Sequence, residues 1–293
     1  MRYTSNYFFS LILPSPSLKG TSAIPKKKKK GNTFCVSKQH QLTHSPIQGH
    51  GIARALASPE QGNLAIALIA RRQEKLTDLV NLLKTQCPGA VAEGFVSDTN
   101  PDNLSNAFSQ IASHPSFSNL PLRAAIFNPK CPSRVPYLEE TFSHFSGHLT
   151  EYVGGAFAFS QLAVQRLLAD HASQPATLAE GSPKKGTIIF TGVTGALKCS
   201  ANFAAYGAAR AGVRQLSQSM ARELSEKGIH VVHTIANGPI AAAVGPGEAE
   251  SEGVKSGKRI SAESVGRVYL DLVRQGPDLW TQELDLRPAQ EKF

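Results

Sequence analysis

Residues 64–70 read Leu-Ala-Ile-Ala-Leu-Ile-Ala, an unbroken apolar run of strand length. A run of this kind between turn-forming residues is typical of a strand in a parallel sheet that helices cover on both faces. Residues 74–84 follow, with leucine and valine at helical spacing along one stripe, which predicts an amphipathic helix. Together the two segments predict one β–α unit.

The same alternation continues along the chain. It predicts further strands at residues 90–96, 122–127, 186–191 and 229–235, and helices at 52–57, 102–114, 144–168 and 204–227. Repeated β–α units joined by right-handed crossovers form a doubly wound parallel sheet. We therefore predict a single α/β domain of Rossmann type over residues 43–293. Such a sheet binds its ligand at the carboxyl ends of its strands, so the residues that follow each strand are the candidates for a site.

The first 42 residues differ from the rest of the chain in charge. They hold eight lysine and arginine residues and no acidic residue, whereas the whole chain carries a net charge of +9. Subtracting eight from nine leaves about +1 for the remainder, which has no basic stripe of the kind that nucleic-acid binding requires. We predict that residues 1–42 are a disordered basic extension, that deleting residues 1–30 leaves the melting temperature unchanged, and that the protein has no nucleic-acid partner.

The origin of the first strand is left open by the sequence. The segment Thr33-Phe-Cys-Val36 is the candidate, but an unusually long loop would follow it. The alternative is a gene-model artefact, in which residues up to about Gln48 are translated from an intron or upstream sequence in place of the true strand. Residues 7–13 are apolar and weakly signal-like, but few basic residues precede them and no clear cleavage site follows.

Cysteine and hydropathy patterns bear on compartment and partners. The four cysteines form no Cys-x-x-Cys pair, and the nine histidines lack zinc-ligand spacing, so we expect no metal site and a reducing compartment. No apolar run approaches the roughly 18 residues of a membrane span. We expect a cytoplasmic protein without a membrane partner.

The segment Tyr206-Gly-Ala-Ala-Arg210 opens a predicted helix soon after the strand at residues 186–191. With Thr191-Gly-Val-Thr-Gly before it and Trp280-Thr-Gln-Glu-Leu-Asp-Leu-Arg-Pro288 near the end of the chain, it resembles the short-chain dehydrogenase/reductase family. The match is to an atypical subgroup with YxxxR in place of the usual YxxxK, and it covers about residues 49–293. The resemblance implies an oxidoreductase with a nicotinamide cofactor.

The resemblance also implies roles for the residues of the active site. Tyr206 takes the position of the catalytic acid–base, and Arg210 takes that of the lysine that assists it and holds the nicotinamide ribose. Arg210 supplies a permanent positive charge but cannot pass a proton on. The family's serine falls on Val193, so Thr194 is the nearest hydroxyl, and the family's asparagine falls on Tyr152. From spacing alone, a helix-face pair without chemistry is the favoured interpretation of Tyr206 and Arg210.

The cofactor positions are partly kept. Of the family's glycine-rich loop before the first helix, Gly49 is matched and two earlier glycines are not. Arg71 and Arg72 follow the second strand, where basic residues suit the 2′-phosphate of NADP, although they could simply cap a surface turn. Asp98 matches the aspartate that contacts adenine, or else belongs to a turn before the next helix. We predict NADP, with NAD possible.

Two further positions complete the predicted cofactor site, namely Asn128 after the fourth strand and Gly238 beside the nicotinamide. The first functional hypothesis is an NADP-dependent oxidoreductase acting on a small carbonyl or alcohol substrate. The second is a cofactor-binding or scaffold protein that keeps the fold but has lost turnover. The small and polar residues 240–261 suggest a mobile substrate lid. The resemblance further implies a homodimer or homotetramer.

Overall fold

The computed structural model describes residues 6–14, 44–130, 132–242 and 250–291. The strands, in chain order, are β1 (Asn6–Pro14), β2 (Leu64–Ala70), β3 (Ala92–Val96), β4 (Ala124–Lys130), β5 (Gly186–Gly192), β6 (Ile229–Ala236), β7 (Ile240–Ala241), β8 (Ile260–Ser261) and β9 (Glu283–Leu286). The helices are α1 (His44–Ala57), α2 (Gln73–Gln86), α3 (Pro101–Ser113), α4 (Phe142–Leu149), α5 (Gly155–Asp170), α6 (Ala204–Leu224), α7 (Glu252–Lys255) and α8 (Ala262–Arg274).

Seven strands form the central sheet in the order β3-β2-β1-β4-β5-β6-β9, and β7 pairs with β8 separately. Every pairing in the central sheet is parallel except the two that β1 makes with β2 and β4, which are antiparallel. Helices α1, α2 and α8 pack on one face, and α3, α5 and α6 pack on the other. The predicted doubly wound α/β fold is confirmed, with one strand reversed.

That reversed strand corrects the prediction for the N-terminal residues. In β1, Ile12 lies opposite Ile66 of β2 and Ala124 of β4, and Leu11, Ile12 and Leu13 are buried. The predicted disordered extension of residues 1–42 is therefore wrong for Asn6–Pro14. An apolar strand can pair with apolar neighbours in either direction. The position between β2 and β4 therefore requires a strand with buried apolar side chains more than it requires one chain direction. The candidate strand at residues 33–36 lies outside the described residues.

The reversal also changes where the chain leaves the centre of the sheet. Strands β2, β3, β4, β5 and β6 all end at one edge, which we call the carboxyl edge. Pro14, at the end of β1, instead pairs with Leu64 at the start of β2, so the chain leaves β1 at the opposite edge. Helix α1 is fixed mainly by α8, where an added Cβ on Gly266 would collide with the carbonyl oxygen of Gly51.

The long helix predicted at residues 144–168 is built from three parts. Helices α4 and α5 are joined without a break by a π-helical turn, Thr150–Gly154. A π turn widens the helix by one residue, and such turns are frequent at functional sites. Among the helices of the described ranges, none is both long and apolar enough to cross a membrane.

Candidate active site

A cleft of about 640 Å³ opens at the carboxyl edge, beyond the ends of β5 and β6. Val193 and Thr194 line it from the turn that follows β5, Tyr206 from the first turn of α6, and Gly238 from the loop after β6. We call it the Tyr206 cleft. It brings together three residues predicted for the site, Tyr206, Thr194 and Gly238, from three separate segments of the chain.

Gly238 has a specific structural reason to be glycine. Its φ of +100° is a conformation that side-chain-bearing residues rarely adopt, and an added Cβ would lie 2.8 Å from the ring of Pro288. The backbone N–H of Asn237 donates to the carbonyl of Leu286 at 2.9 Å, which ties this loop to the end of β9. The C-terminal segment thus forms one wall of the Tyr206 cleft, where Arg287 also lies.

Arg210 lies beneath the cleft, with only 3% of its surface exposed. Its Nη1 donates to the carbonyl of Thr191 on β5 at 3.1 Å, and its Nη2 donates to the carbonyl of Pro129 on β4 at 2.8 Å. The guanidinium carbon lies 4.4 Å from the centre of the Tyr152 ring and 5.1 Å from that of Tyr206. One cation thus connects two strands and two aromatic rings.

The surroundings of Arg210 keep it charged. Burial by itself would lower the pKa of Arg210, but the negative charge and hydrogen bonds that Tyr206 and Tyr152 can offer outweigh it and raise that pKa. The positive charge is therefore fixed next to Tyr206. Nη1 and Nη2 each donate one N–H to a main-chain carbonyl, and Arg210 is not among the described residues that line the cleft. Its predicted second role, holding the nicotinamide ribose, stays a prediction.

The two positions near Tyr206 at which the resemblance implies a serine and an asparagine are filled here by side chains of different chemistry. Val193 brings no hydroxyl to the cleft, whereas Thr194 follows it in a 3₁₀ turn. The Thr194 Oγ1 is buried and meets no hydrogen-bond partner among the described residues. A buried polar atom without a partner is rare, so this hydroxyl is suited to a ligand oxygen. Tyr152 is fully buried below, with its ring perpendicular to that of Tyr206 and their centres 6.0 Å apart.

The predicted adenosine end of the cofactor site lies at the carboxyl ends of β2 and β3. A pocket of about 300 Å³, the Arg71 pocket, is lined there by residues that include Arg71 and Asp98. Arg72 follows directly and precedes α2. The Asp98 Oδ1 accepts hydrogen bonds from the Asn100 N–H and the Asn103 side-chain amide, both at 2.9 Å. Asp98 therefore shapes the turn before α3, which was the alternative to a contact with adenine, and it also borders the pocket.

The middle of the predicted cofactor site is less well matched. Asn128 is 5% exposed near the end of β4, and its Nδ2 has no partner within the described part of the chain, as a ligand-facing amide would show. Gly49, in contrast, lies more than one turn inside α1, where a backbone N–H donates to the carbonyl four residues earlier and is closed to a phosphate. A nicotinamide dinucleotide thus fits the residues at both ends of the carboxyl edge, but no glycine loop for its diphosphate lies among the described residues.

Several residues of the cleft were not singled out by the sequence. Lys198 and Glu291 add charged groups to its lining, and Arg287 is paired with Asp285 at 2.9 Å. Nothing in the sequence marks Pro129 as a partner of Arg210, because the contact is made by its main-chain carbonyl, which every residue has. Within the described ranges, no three histidine, cysteine or acidic side chains come together as a metal site needs.

Comparisons with known proteins agree with the fold. A family model described as enoyl-(acyl carrier protein) reductase matches residues 47–273. A short-chain dehydrogenase from Rhodopseudomonas palustris is 26% identical, with a TM-score of 0.62 over 83% of this chain and 93% of that chain. An alcohol dehydrogenase from Thermococcus sibiricus in complex with 5-hydroxy-NADP is 14% identical, with a TM-score of 0.64 over 84% and 93%. A short-chain dehydrogenase from Bacillus anthracis is 21% identical, with a TM-score of 0.63 over the same shares. No curated protein matches the sequence.

Proposed function

The chain belongs to the short-chain dehydrogenase/reductase family, and from that premise we propose that it is an NADP-dependent oxidoreductase acting on a small carbonyl or alcohol substrate. The observation that carries the proposal is Tyr206. Its ring lines the cleft at the carboxyl edge, and a permanently charged guanidinium lies 5.1 Å from the ring centre. A phenol beside a fixed cation is equipped to give up a proton and to remain as the phenolate.

In the proposed reduction, the phenol of Tyr206 donates its proton to the carbonyl oxygen of the substrate. The charge of Arg210 stabilises the phenolate that is left, and the hydroxyl of Thr194 donates a hydrogen bond to the same substrate oxygen. The cofactor, when bound, supplies the hydride. In the reverse direction Tyr206 takes the proton of the alcohol. General acid–base catalysis of this kind contributes about 10²–10⁴-fold to the rate.

The choice of NADP over NAD rests on charge at the end of β2. Arg71 lines the pocket there and Arg72 follows it, and basic residues at this point suit a 2′-phosphate, whereas an acidic residue suits a free 2′-hydroxyl. The fold shared with the Thermococcus sibiricus enzyme is compatible with this choice, since that enzyme was solved with an NADP derivative. Asn128 and Gly238 would flank the nicotinamide half.

A second candidate is a protein that binds the cofactor without turnover. Two observations favour it: Val193 leaves the family's serine position without a hydroxyl, and Arg210 is fixed to the carbonyls of Thr191 and Pro129 below the cleft. Both candidates predict cofactor binding. They differ only in whether Tyr206 transfers a proton, so the deciding experiment is a measurement of turnover.

That experiment is NADPH consumption over a panel of small aldehydes and ketones, with Tyr206→Phe as the test variant. Tyr206→Phe removes one oxygen and should abolish reduction while NADPH binding stays unchanged. Tyr137→Phe is the matched control, since Tyr137 is 78% exposed and away from the cleft lining, and it should behave as wild type. Wild-type protein that binds NADPH and reduces nothing on the panel would establish the second candidate.

We also propose that the protein assembles as a homodimer or homotetramer through α5 and α6. Phe157, a large apolar side chain on α5, is half exposed, as a side chain at an interface would be in the isolated chain. Light scattering coupled to gel filtration tests this directly. A cytoplasmic location and the absence of a nucleic-acid partner remain part of the proposal, on the cysteine and charge patterns.

A further inference from the structure

The charge of Arg210 can serve Tyr206 only if the guanidinium is held in place. An arginine side chain has several rotatable bonds, and the carbonyls of Thr191 and Pro129 fix two of its nitrogen atoms along one edge. The plane of the group could still pivot about that edge. The ring of Tyr152 lies 4.4 Å from the guanidinium carbon, closer than the ring of Tyr206 at 5.1 Å.

Tyr152 is itself firmly supported. It is fully buried, and it lies in the π-helical turn Thr150–Gly154 that joins α4 to α5. The ring of His148 stacks nearly parallel to it, with 6.0 Å between centres and 17° between planes. Burial, together with the nearby His144, lowers the pKa of His148, so this neighbour stays neutral and adds no charge that would repel Arg210. The Tyr152 ring therefore has a neutral ring and a cation as neighbours.

Both the ring and the hydroxyl of Tyr152 contact Arg210, and the ring contact has the more favourable geometry. The hydroxyl lies 3.4 Å from the Arg210 Nη2, near the upper limit for a hydrogen bond. The ring centre, at 4.4 Å, is well inside the range of about 6 Å over which a cation and an aromatic face attract each other. This attraction is strongest in buried surroundings, which both side chains have.

We infer that Tyr152 is a positioning residue for the reaction, which holds the Arg210 guanidinium against Tyr206 through its ring. The inference rests on the proposed function, in which Tyr206 exchanges a proton with the substrate. Tyr152 touches neither the cleft nor a substrate, since the residues that line the cleft above it include Tyr206 and not Tyr152. It acts only through Arg210.

Two substitutions separate the ring from the hydroxyl. Tyr152→Phe keeps the ring and should leave kcat within about threefold of wild type, because the hydrogen bond from Arg210 that it removes is long. Tyr152→Leu removes the ring and should lower kcat by about tenfold or more, with KM and NADPH affinity within about twofold, because neither ligand touches residue 152. Phe117→Leu is the matched control: Phe117 is fully buried in the same apolar core, next to Phe95 and away from Arg210.

A spectroscopic measurement tests the geometry without any turnover. The Nε–H of Arg210 is buried and meets no partner within the described residues, so the line width and solvent exchange of its signal in nitrogen–proton correlation NMR report how firmly the guanidinium is held. We expect a sharp signal that exchanges slowly with solvent in wild type, in Tyr152→Phe and in Phe117→Leu, and a broadened or faster-exchanging signal in Tyr152→Leu, where the guanidinium is no longer held. Arg210→Lys, which removes the signal, identifies it.

The outcomes are distinct. A fall in kcat and a broadened or faster-exchanging Nε–H signal in Tyr152→Leu alone support the inference. If Tyr152→Leu lowers only the melting temperature, as Phe117→Leu does, Tyr152 is merely a core residue and the inference is overturned. If wild type reduces no carbonyl, the proposed function fails. The NMR signal still decides whether Tyr152 holds Arg210, and an unchanged signal in Tyr152→Leu shows that it does not.

Discussion

Replacing Ile12 by alanine tests whether residues 6–14 form the central strand. The Ile12 side chain is fully buried between Ile66 and Ala124, its register partners on the two neighbouring strands. The substitution removes three carbon atoms, worth about 0.8 kcal/mol each in lost burial, and leaves a cavity in addition. We therefore expect the free energy of unfolding to fall by about 2–5 kcal/mol.

Urea denaturation followed by the fluorescence of the single tryptophan, Trp280, measures this change. Trp280 stacks on His230 near the start of β6, so its environment reports the folded sheet. Leu138→Ala is the control, because Leu138 is 97% exposed and its loss should change the free energy by less than about 0.5 kcal/mol. If Ile12→Ala proves as mild as Leu138→Ala, residues 6–14 are not in the sheet, and the extension predicted from charge is restored.

Three further predictions concern charge. Arg71→Asp should erase or reverse the preference for NADPH over NADH, whereas Arg123→Asp, at the opposite edge of the sheet, should preserve it. If both variants prefer NADPH over NADH to the same degree, the assignment of Arg71 to the 2′-phosphate is refuted. Arg210→Lys should lower kcat, because one ammonium group cannot reach the two carbonyls that the guanidinium spans, and wild-type turnover would contradict this. Burial lowers the pKa of three histidines to about 4, those of His50, His230 and His233. Between pH 6.5 and 4 the unfolded chain binds protons that the folded chain does not, so each of these histidines should lower the free energy of unfolding by about 1.4 kcal/mol per pH unit on acidification. Urea titrations that give the same free energy of unfolding at pH 7 and at pH 5 would exclude this.

The sequence could predict the parallel strands because their burial leaves a direct pattern. Residues 64–70 were predicted as a strand with the bounds that β2 has, since a strand covered on both faces must be apolar throughout. The first strand could not be placed in the same way. Its apolar run is set apart from the rest of the domain by a basic segment, and nothing in a single apolar run indicates its partners or its direction.

The candidate site was predictable in part for a related reason. A helix spacing of four residues places Tyr206 and Arg210 on one face, and the motif around them indicated chemistry. Whether Arg210 points into the cleft or below it depends on Pro129 and Tyr152, which lie far away in the sequence and act through a carbonyl and a ring face. Gly49 was matched by alignment to a loop that follows a parallel first strand, and β1 runs the other way.

The most direct test of the whole account is a titration of the full chain with NADPH and with NADH, followed by the fluorescence of the reduced nicotinamide. We expect saturable binding of both or of NADPH alone, with NADPH bound at least about tenfold more tightly, because Arg71 and Arg72 lie where charge-assisted hydrogen bonds to a 2′-phosphate would form. Tighter binding of NADH, or no binding of either cofactor, would contradict it.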